Sequence, residues 1–444
     1  MSGEGAPVLG VLRTREFRLL FSAQAVSVLG DRMVAVALAF AVLEIGGSVA
    51  DVGLVLAAGT FPLVATVLVG GVVADRASRR AVMVAADLVR VSSQGAMAAL
   101  LITGAAEVWM LALLAAVAGA ATGFFGPAST GLLPEVVLAE QLQPANALRT
   151  SAVSAGEILG PIVAGVLVAA AGAGWAIAID AGTFAVSAAC LLALRVTPRA
   201  REQRSPFVTD LRAGWVAFRS RRWVWTFVAY FALVNLLWGA WGTLGPNVAE
   251  RDLGGAAAWG AILTAMGVGA LAGSLLAARV RPSRPLLLAA FTDGLFALPL
   301  AFLAATSSVP LIACGAFLAG AGMALTISLW ESTLQHHVPG ESLSRVSSYD
   351  WFGSLAFYPL GLAIWGPTAA AIGVSTSLWL SFGLAAVLTL VLISVPDIRR
   401  LPAVPEEREP WVPSSELGRI VSEAPADPGL LTDLDDVRGA ELDD

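Results

Sequence analysis

Charged side chains interrupt the long apolar runs of this chain at Asp31, Arg32, Asp87, Arg90, Glu157, Asp180, Asp293 and Glu331. At the centre of a lipid layer each costs at least about 2.5–3.5 kcal/mol, so such groups normally face a wet cavity or a partner of opposite sign. The chemistry they suit is the loading and release of protons, or the holding of a polar group on a solute. Asp31 stands mid-run beside Gly30. Asp31 and Arg32 are adjacent, so on a helix they face different sides and need different partners. Asp87 and Arg90 are three apart and share a face. Each of these pairs could instead be a structural tie between helices, since a buried ion pair need not stabilise. Asp87 follows Arg80 by seven residues, about 10 Å of helix, and Glu157 follows Arg149 by eight, about 12 Å. The two acids are expected at similar depth, and Glu157 is expected to take part in coupling.

The elements that hold these groups must be membrane helices. Of the 444 residues, 57% are hydrophobic and 14% charged, against about a quarter charged in soluble domains. Apolar runs near 17–42, 50–73, 81–104, 107–131, 149–171, 174–195, 223–247, 256–279, 285–306, 309–331, 347–371 and 374–396 each approach the roughly 20 residues a spanning helix needs. Open sheets would leave backbone groups unpaired in lipid. The expected fold is an all-α membrane protein, twelve transmembrane helices in two pseudo-symmetric six-helix bundles. Met1–Leu12 lacks the order of a signal peptide, so the first run is expected to stay in the membrane.

Arginine, the sole strong base in the chain, collects in alternate loops: Arg13, Arg15 and Arg18, then Arg76, Arg79 and Arg80, Arg149, eight between Arg195 and Arg222, and Arg279, Arg281, Arg284, Arg345, Arg399 and Arg400. Positive loops stay inside, which predicts cytoplasmic termini and a bacterial inner-membrane location. The expected divisions are an N-terminal bundle at 1–196, a linker at 197–222, a C-terminal bundle at 223–400 and an acidic, disordered cytoplasmic tail at 401–444. In the linker, Phe207, Leu211, Trp215 and Phe218 recur at helical spacing, as in an amphipathic surface helix. The halves echo each other: Arg149-Thr-Ser151 opens the fifth run and Arg345-Val-Ser347 the eleventh, each followed by a Gly and a Pro, Gly156 and Pro161 against Gly353 and Pro359. Parallel repeats of this kind build transporters with a central site. Cys190 and Cys314 lie in apolar runs and are expected to be small buried hydrophobes; no Cys or His lies near enough to His336 and His337 to complete a metal pattern.

Gly71-x-x-x-Asp75-Arg76-x-x-Arg79-Arg80 resembles the signature loop of the major facilitator superfamily. Gly156-x-x-x-Gly160-Pro161-x-x-Ala164-Gly165 is similar to the antiporter motif of its drug:proton exporters, with Ala164 where that motif has glycine. Gly123-Phe-Phe-Gly126-Pro127-Ala128 resembles the subgroup of macrolide and siderophore exporters. The resemblance implies that Asp75 faces the N-terminal end of the eleventh helix, where the helix dipole favours an anion, and latches the cytoplasmic side. It also implies that the small face Gly156, Gly160, Ala164, with Pro161, seals one side of the pathway. The sequence departs from the drug exporters in having no Arg in residues 108–130, and the second-half copy of the loop lacks its Asp.

The expected function is proton-coupled efflux of amphipathic small molecules by alternating access, by a monomer in the lipid bilayer, without cofactor, metal or nucleic acid. An importer or facilitator of a defined solute, and a non-transporting sensor or scaffold using the acidic tail, are the alternatives. An enzyme is not expected, because no Walker glycine loop, metal cluster or Ser/His/Asp set is present. Asp180 completes the expected proton and substrate residues. Trp238 and Trp241, with Asn235, would suit an aromatic cavity wall, although packing explains most membrane aromatics.

Overall fold

The computed structural model describes residues 8–138, 141–195 and 215–403, and those in the range up to Ala403 belong to one compact unit. Among the described residues, twelve helices are long and apolar enough to cross a membrane. They are α1 (Arg15–Glu44), α2 (Val49–Arg76), α3 (Arg79–Thr103), α4 (Val108–Val136), α5 (Leu142–Ala171) and α6 (Ala173–Ala193) in the first half. The second half has α7 (Arg222–Val248, prolonged by a wide turn Ala249–Leu253), α8 (Ala256–Ala277), α9 (Pro285–Ala305), α10 (Val309–His337), α11 (Val346–Ile372) and α12 (Val374–Ser394). The expected spans are all present. The main difference lies at α5, which starts at Leu142, so Arg149 sits inside the helix and not at its mouth.

Local chemistry sets the ends. Ser48 and Asp51 form a reciprocal capping box at the start of α2, and the Ser78 hydroxyl accepts from the Ala81 amide at the start of α3. The α6 N-terminus is capped from another helix: Glu44, closing α1, accepts the Ala173 amide at 3.0 Å, where the positive end of the dipole favours a carboxylate. The turns α5–α6 and α11–α12 match. Each pivots on one glycine, Gly172 or Gly373, at φ +89°, which an L side chain rarely adopts. Two second-half helices are interrupted: α9 by a tighter turn at Leu295–Ala297, directly after Asp293 and Gly294, and α11 between Leu355 and Tyr358.

The halves meet through small residues. A side chain at Gly165 would strike Ala256 and Ala257, and one at Gly260 would strike the Pro161 carbonyl, so α5 and α8 touch backbone to backbone. Thr264 donates to the Ile158 carbonyl at 3.3 Å, and Gly267 lies against the Glu157 backbone. On the other flank Gly53 of α2 abuts the Leu362 carbonyl, and Gly366 abuts Ala50. All these approaches lie from mid-span toward the ends away from the arginine loops. In the linker, residues 207–214 of the expected amphipathic helix lie outside the described residues; 215–219 are helical, and Trp215 and Phe218 pack on Tyr349 at 5.5 and 5.7 Å between ring centres. The 401–444 tail lies outside the described residues beyond Ala403.

Candidate functional site: a carboxylate set around Arg90

Four of the expected residues come together. Arg90, on α3, is 1% exposed, the largest fully buried side chain among the described residues. Its guanidinium is sandwiched between the rings of Phe125 on α4 and Phe184 on α6, at 4.3 and 4.1 Å. A cation between two aromatic faces in a dry site gains appreciable quadrupole stabilisation. Arg90 donates to Asp87 on its own helix, as the three-residue spacing requires, and its Nη1 lies 3.7 Å from Asp31 on α1. Asp87 also accepts from Ser187 of α6 at 2.6 Å.

Asp180 of α6 is fully buried beside this set. One of its oxygens lies 3.3 Å from the Thr183 hydroxyl, and the other, Oδ2, has no hydrogen-bond partner among the described residues. Gly30 is what admits it. A side chain at Gly30 would collide with Asp180 Oδ1 and Thr183 Oγ1, so a glycine next to Asp31 lets α1 and α6 close over the acids. Two carboxylates thus share one guanidinium, with the third, Asp180, buried alongside them. Asp87 and Asp180 are sealed, whereas Asp31 keeps 40% of its side chain exposed, although it stands about 24 Å along α1 from Arg15 and about 20 Å from Glu44. Exposure of a carboxylate at mid-span implies a wet crevice alongside it.

Asp31 and Arg32 do find different partners. Arg32 pairs with Glu157 of α5 at 3.1 Å, both about half exposed, at the seam where Glu157 meets α8. The small face of α5 works chiefly toward α1, with Gly156 against Val28 and Gly160 against Arg32; Gly165 and the Pro161 carbonyl face α8. In the signature loop the Asp75 side chain lies outside the described residues. Gly71 has open space around it and Arg76 is exposed. Arg79 reaches Glu135 at 2.8 Å and the Gly131 carbonyl on α4, and Arg80 donates to the Leu191 carbonyl of α6 at 2.7 Å.

The family described as Major Facilitator Superfamily matches residues 20–356. The chain belongs to the Major Facilitator Superfamily. Its curated relatives include "Multidrug efflux pump Tap" of Mycolicibacterium fortuitum, 29% identical over 84% of this chain and 93% of that protein. "Enterobactin exporter EntS" of Escherichia coli is 28% identical over 90% of this chain and 96% of that one. Among solved structures, a peptide transporter POT in complex with sulfate superposes with a TM-score of 0.70 at 15% identity, covering 91% of this chain and 97% of that one. The nucleoside transporter NupG gives 0.65 at 13% identity, covering 86% and 99%. These two share the fold. The protein is a multi-pass membrane transporter of small substrates, not an enzyme.

Other sites were less visible in the sequence. Arg149 Nε donates to Gln24 of α1 at 2.7 Å and its Nη2 to Ser129 of α4 at 3.2 Å, while Gln24 donates to Ser129 at 2.6 Å. Asp350 of α11 is buried and accepts from the Trp330 indole at 2.9 Å and from Ser354 at 3.3 Å. Tyr230 donates to Asp293 at 2.8 Å and meets Thr389 at 3.0 Å. Trp238 and Trp241 are buried; Trp238 stacks on Phe296, and Trp241 lies tilted against Trp259. Trp238 also edges a small cavity with Tyr230 and Asp293; Asn235 instead bonds within its own helix, to Phe231. Glu331 is exposed near the end of α10. Of the cysteines, Cys190 is half-buried and Cys314 is exposed on the apolar outside, so the expectation of burial fails for Cys314: in a membrane helix the outer face is as apolar as the core.

Proposed function

We propose that this transporter exports amphipathic small molecules in exchange for protons, by alternating access, as a monomer in a bacterial inner membrane with both termini cytoplasmic. The observation that carries the reading is the Asp31, Asp87, Asp180 and Arg90 set. Three carboxylates around one cation hold two net negative charges when all are ionised, a costly state in a dry bundle. A proton taken up through exposed Asp31 relieves it, and its loss restores it. The set joins α1, α3 and α6, so its charge bears on how those helices pack, and α1 passes the strain to α5 through Arg32 and Glu157. The small-residue contacts of α5 with α8 and of α2 with α11, confined to the arginine-poor side, suit a state closed there and open toward the arginine loops. Export is favoured by the likeness to Tap and EntS. Asp75 is assigned the latch that holds the arginine-loop side shut in the alternate state.

The test is transport of a fluorescent amphipathic dye in proteoliposomes with an imposed pH gradient. Dye movement should collapse on adding a protonophore, and Asp31→Asn should retain under a tenth of it. Full-rate movement in the protonophore's presence would remove the proton from the mechanism.

A further inference from the structure

Three arginines stand within the helices of the first half well away from their ends, and two have acids. Arg90 has Asp87 and Asp31; Arg32 has Glu157. Arg149, about 10 Å into α5 from Leu142, has none among the described residues. Its hydrogen-bond partners among the described residues are a carboxamide and a hydroxyl, Gln24 and Ser129, which are 8% and 4% exposed and cannot neutralise a guanidinium. Arg80 also lacks an acid, but it lies on carbonyls at the C-terminal end of α6, where the dipole supplies negative potential. Gln24 and Ser129 take the Nε and Nη2 of Arg149 and fix the plane of the fork, leaving Nη1 without a partner and not enclosed. A planar fork with a free edge is the geometry that binds a carboxylate or a sulfonate.

The location fits a ligand. Gln24 to Arg32 on α1 and Arg149 to Glu157 on α5 are both eight-residue steps along helices that run in parallel, so Arg149 lies one layer, about 12 Å, from the Arg32–Glu157 pair toward the arginine loops. It is on the side where the halves make none of the glycine approaches described above. We infer that Arg149 receives an anionic group of the transported molecule, so that the substrates are amphipathic compounds bearing a carboxylate or a sulfonate. The missing acid of the third arginine is brought by the cargo. This deepens the export reading and rests on it for direction of travel, but not for binding.

The matched probes are rhodamine B, which has a free carboxylate, and its ethyl ester, which does not. Binding of each to the full-length protein is measured in nanodiscs of phosphatidylcholine alone and with phosphatidylglycerol added. The parent chain should prefer the acid over the ester. Arg149→Gln should reduce that preference at least tenfold through weaker acid binding, with ester binding within twofold of the parent. Arg149→Lys, which keeps the charge without the fork, should fall between. An acid-to-ester ratio unchanged by Arg149→Gln would overturn the inference. So would an effect of the substitution seen only with phosphatidylglycerol present, which would give the guanidinium to a lipid headgroup. Preferential acid binding lost in Arg149→Gln, with no transport of either dye by the parent, would leave the site standing and remove the export reading.

Discussion

The two halves each contribute six spans and handle charge in opposite ways. In the first, acids are set against arginines: Arg90 with Asp31 and Asp87, and Arg32 with Glu157. In the second, the buried acids have no arginine. Asp293 is held by Tyr230, and Asp350 by Trp330 and Ser354. Around them the second half is stacked with aromatic rings, among them Phe227, Phe231 and Trp330. A carboxylate beside a guanidinium changes the net charge of its surroundings when it takes a proton, and so changes the forces between helices. An acid held by an indole or a phenol, inside a rigid aromatic stack, changes local hydrogen bonding instead. The difference suggests that the first half is the part that converts proton occupancy into movement, and that the second serves as the stiff body against which it moves.

The sharpest way to break this contrast is at Arg90. Arg90→Gln leaves Asp87 buried without its cation, and losing one partner of a buried pair costs about 3–5 kcal/mol. The variant should unfold well below the parent in a thermal melt in detergent, and should not transport. If it melts with the parent, Arg90 is not holding the acids. Next comes a paired test of the acids themselves. Asp31→Asn should lower pH-gradient-driven dye transport at least tenfold, whereas Asp293→Asn, which can still accept from Tyr230, should stay within about threefold of the parent. Equal losses would place proton work in both halves and dissolve the distinction.

The contrast was half legible in the sequence. Asp87 and Arg90 declared themselves by their spacing, and Asp31 and Arg32 by adjacency that forbids a shared partner. The three-acid set was not legible, because Asp180 lies in a different apolar run, and contacts between distant helices leave no periodicity. Nor was Arg149. An arginine at the edge of a run reads as a loop charge, and only the seven helical residues before it, Leu142 to Leu148, place it inside the helix. Asp350 was hidden for the same reason, beside Ser347, Ser348 and Tyr349 at the polar start of its run. Gln24, a carboxamide inside an apolar run, was a signal that composition offers and charge counting overlooks.

A subtler probe compares two glycines next to acids. A methyl at Gly30 would collide with the Asp180 carboxylate and the Thr183 hydroxyl, both buried. A methyl at Gly294 would meet Thr389 Cγ2 at 3.1 Å, a contact that a few tenths of an ångström would ease. Gly30→Ala should therefore cost about 1–3 kcal/mol, the usual range for overpacking, and should slow transport, because it parts α1 from α6 where the carboxylates meet. Gly294→Ala should shift the melt less and leave transport near the parent's rate. Matching losses in the two variants would mean that close approach of helices matters equally in both halves.

The smallest expected effect tests the stiff half directly. Trp330→Phe removes the indole donor from Asp350 while keeping a ring to stack on Phe227, 4.8 Å away in the native structure. Asp350 keeps its bond from Ser354. The net loss should be about 1–1.5 kcal/mol, the worth of one hydrogen bond whose acceptor retains another partner. That is a modest fall in melting temperature with unchanged dependence of transport on the pH gradient. A change in that dependence would be the informative failure. It would mean that Asp350 shares in proton exchange, at the point of α11 where Tyr349 takes the linker residues Trp215 and Phe218, and the second half would then be a working part rather than a support.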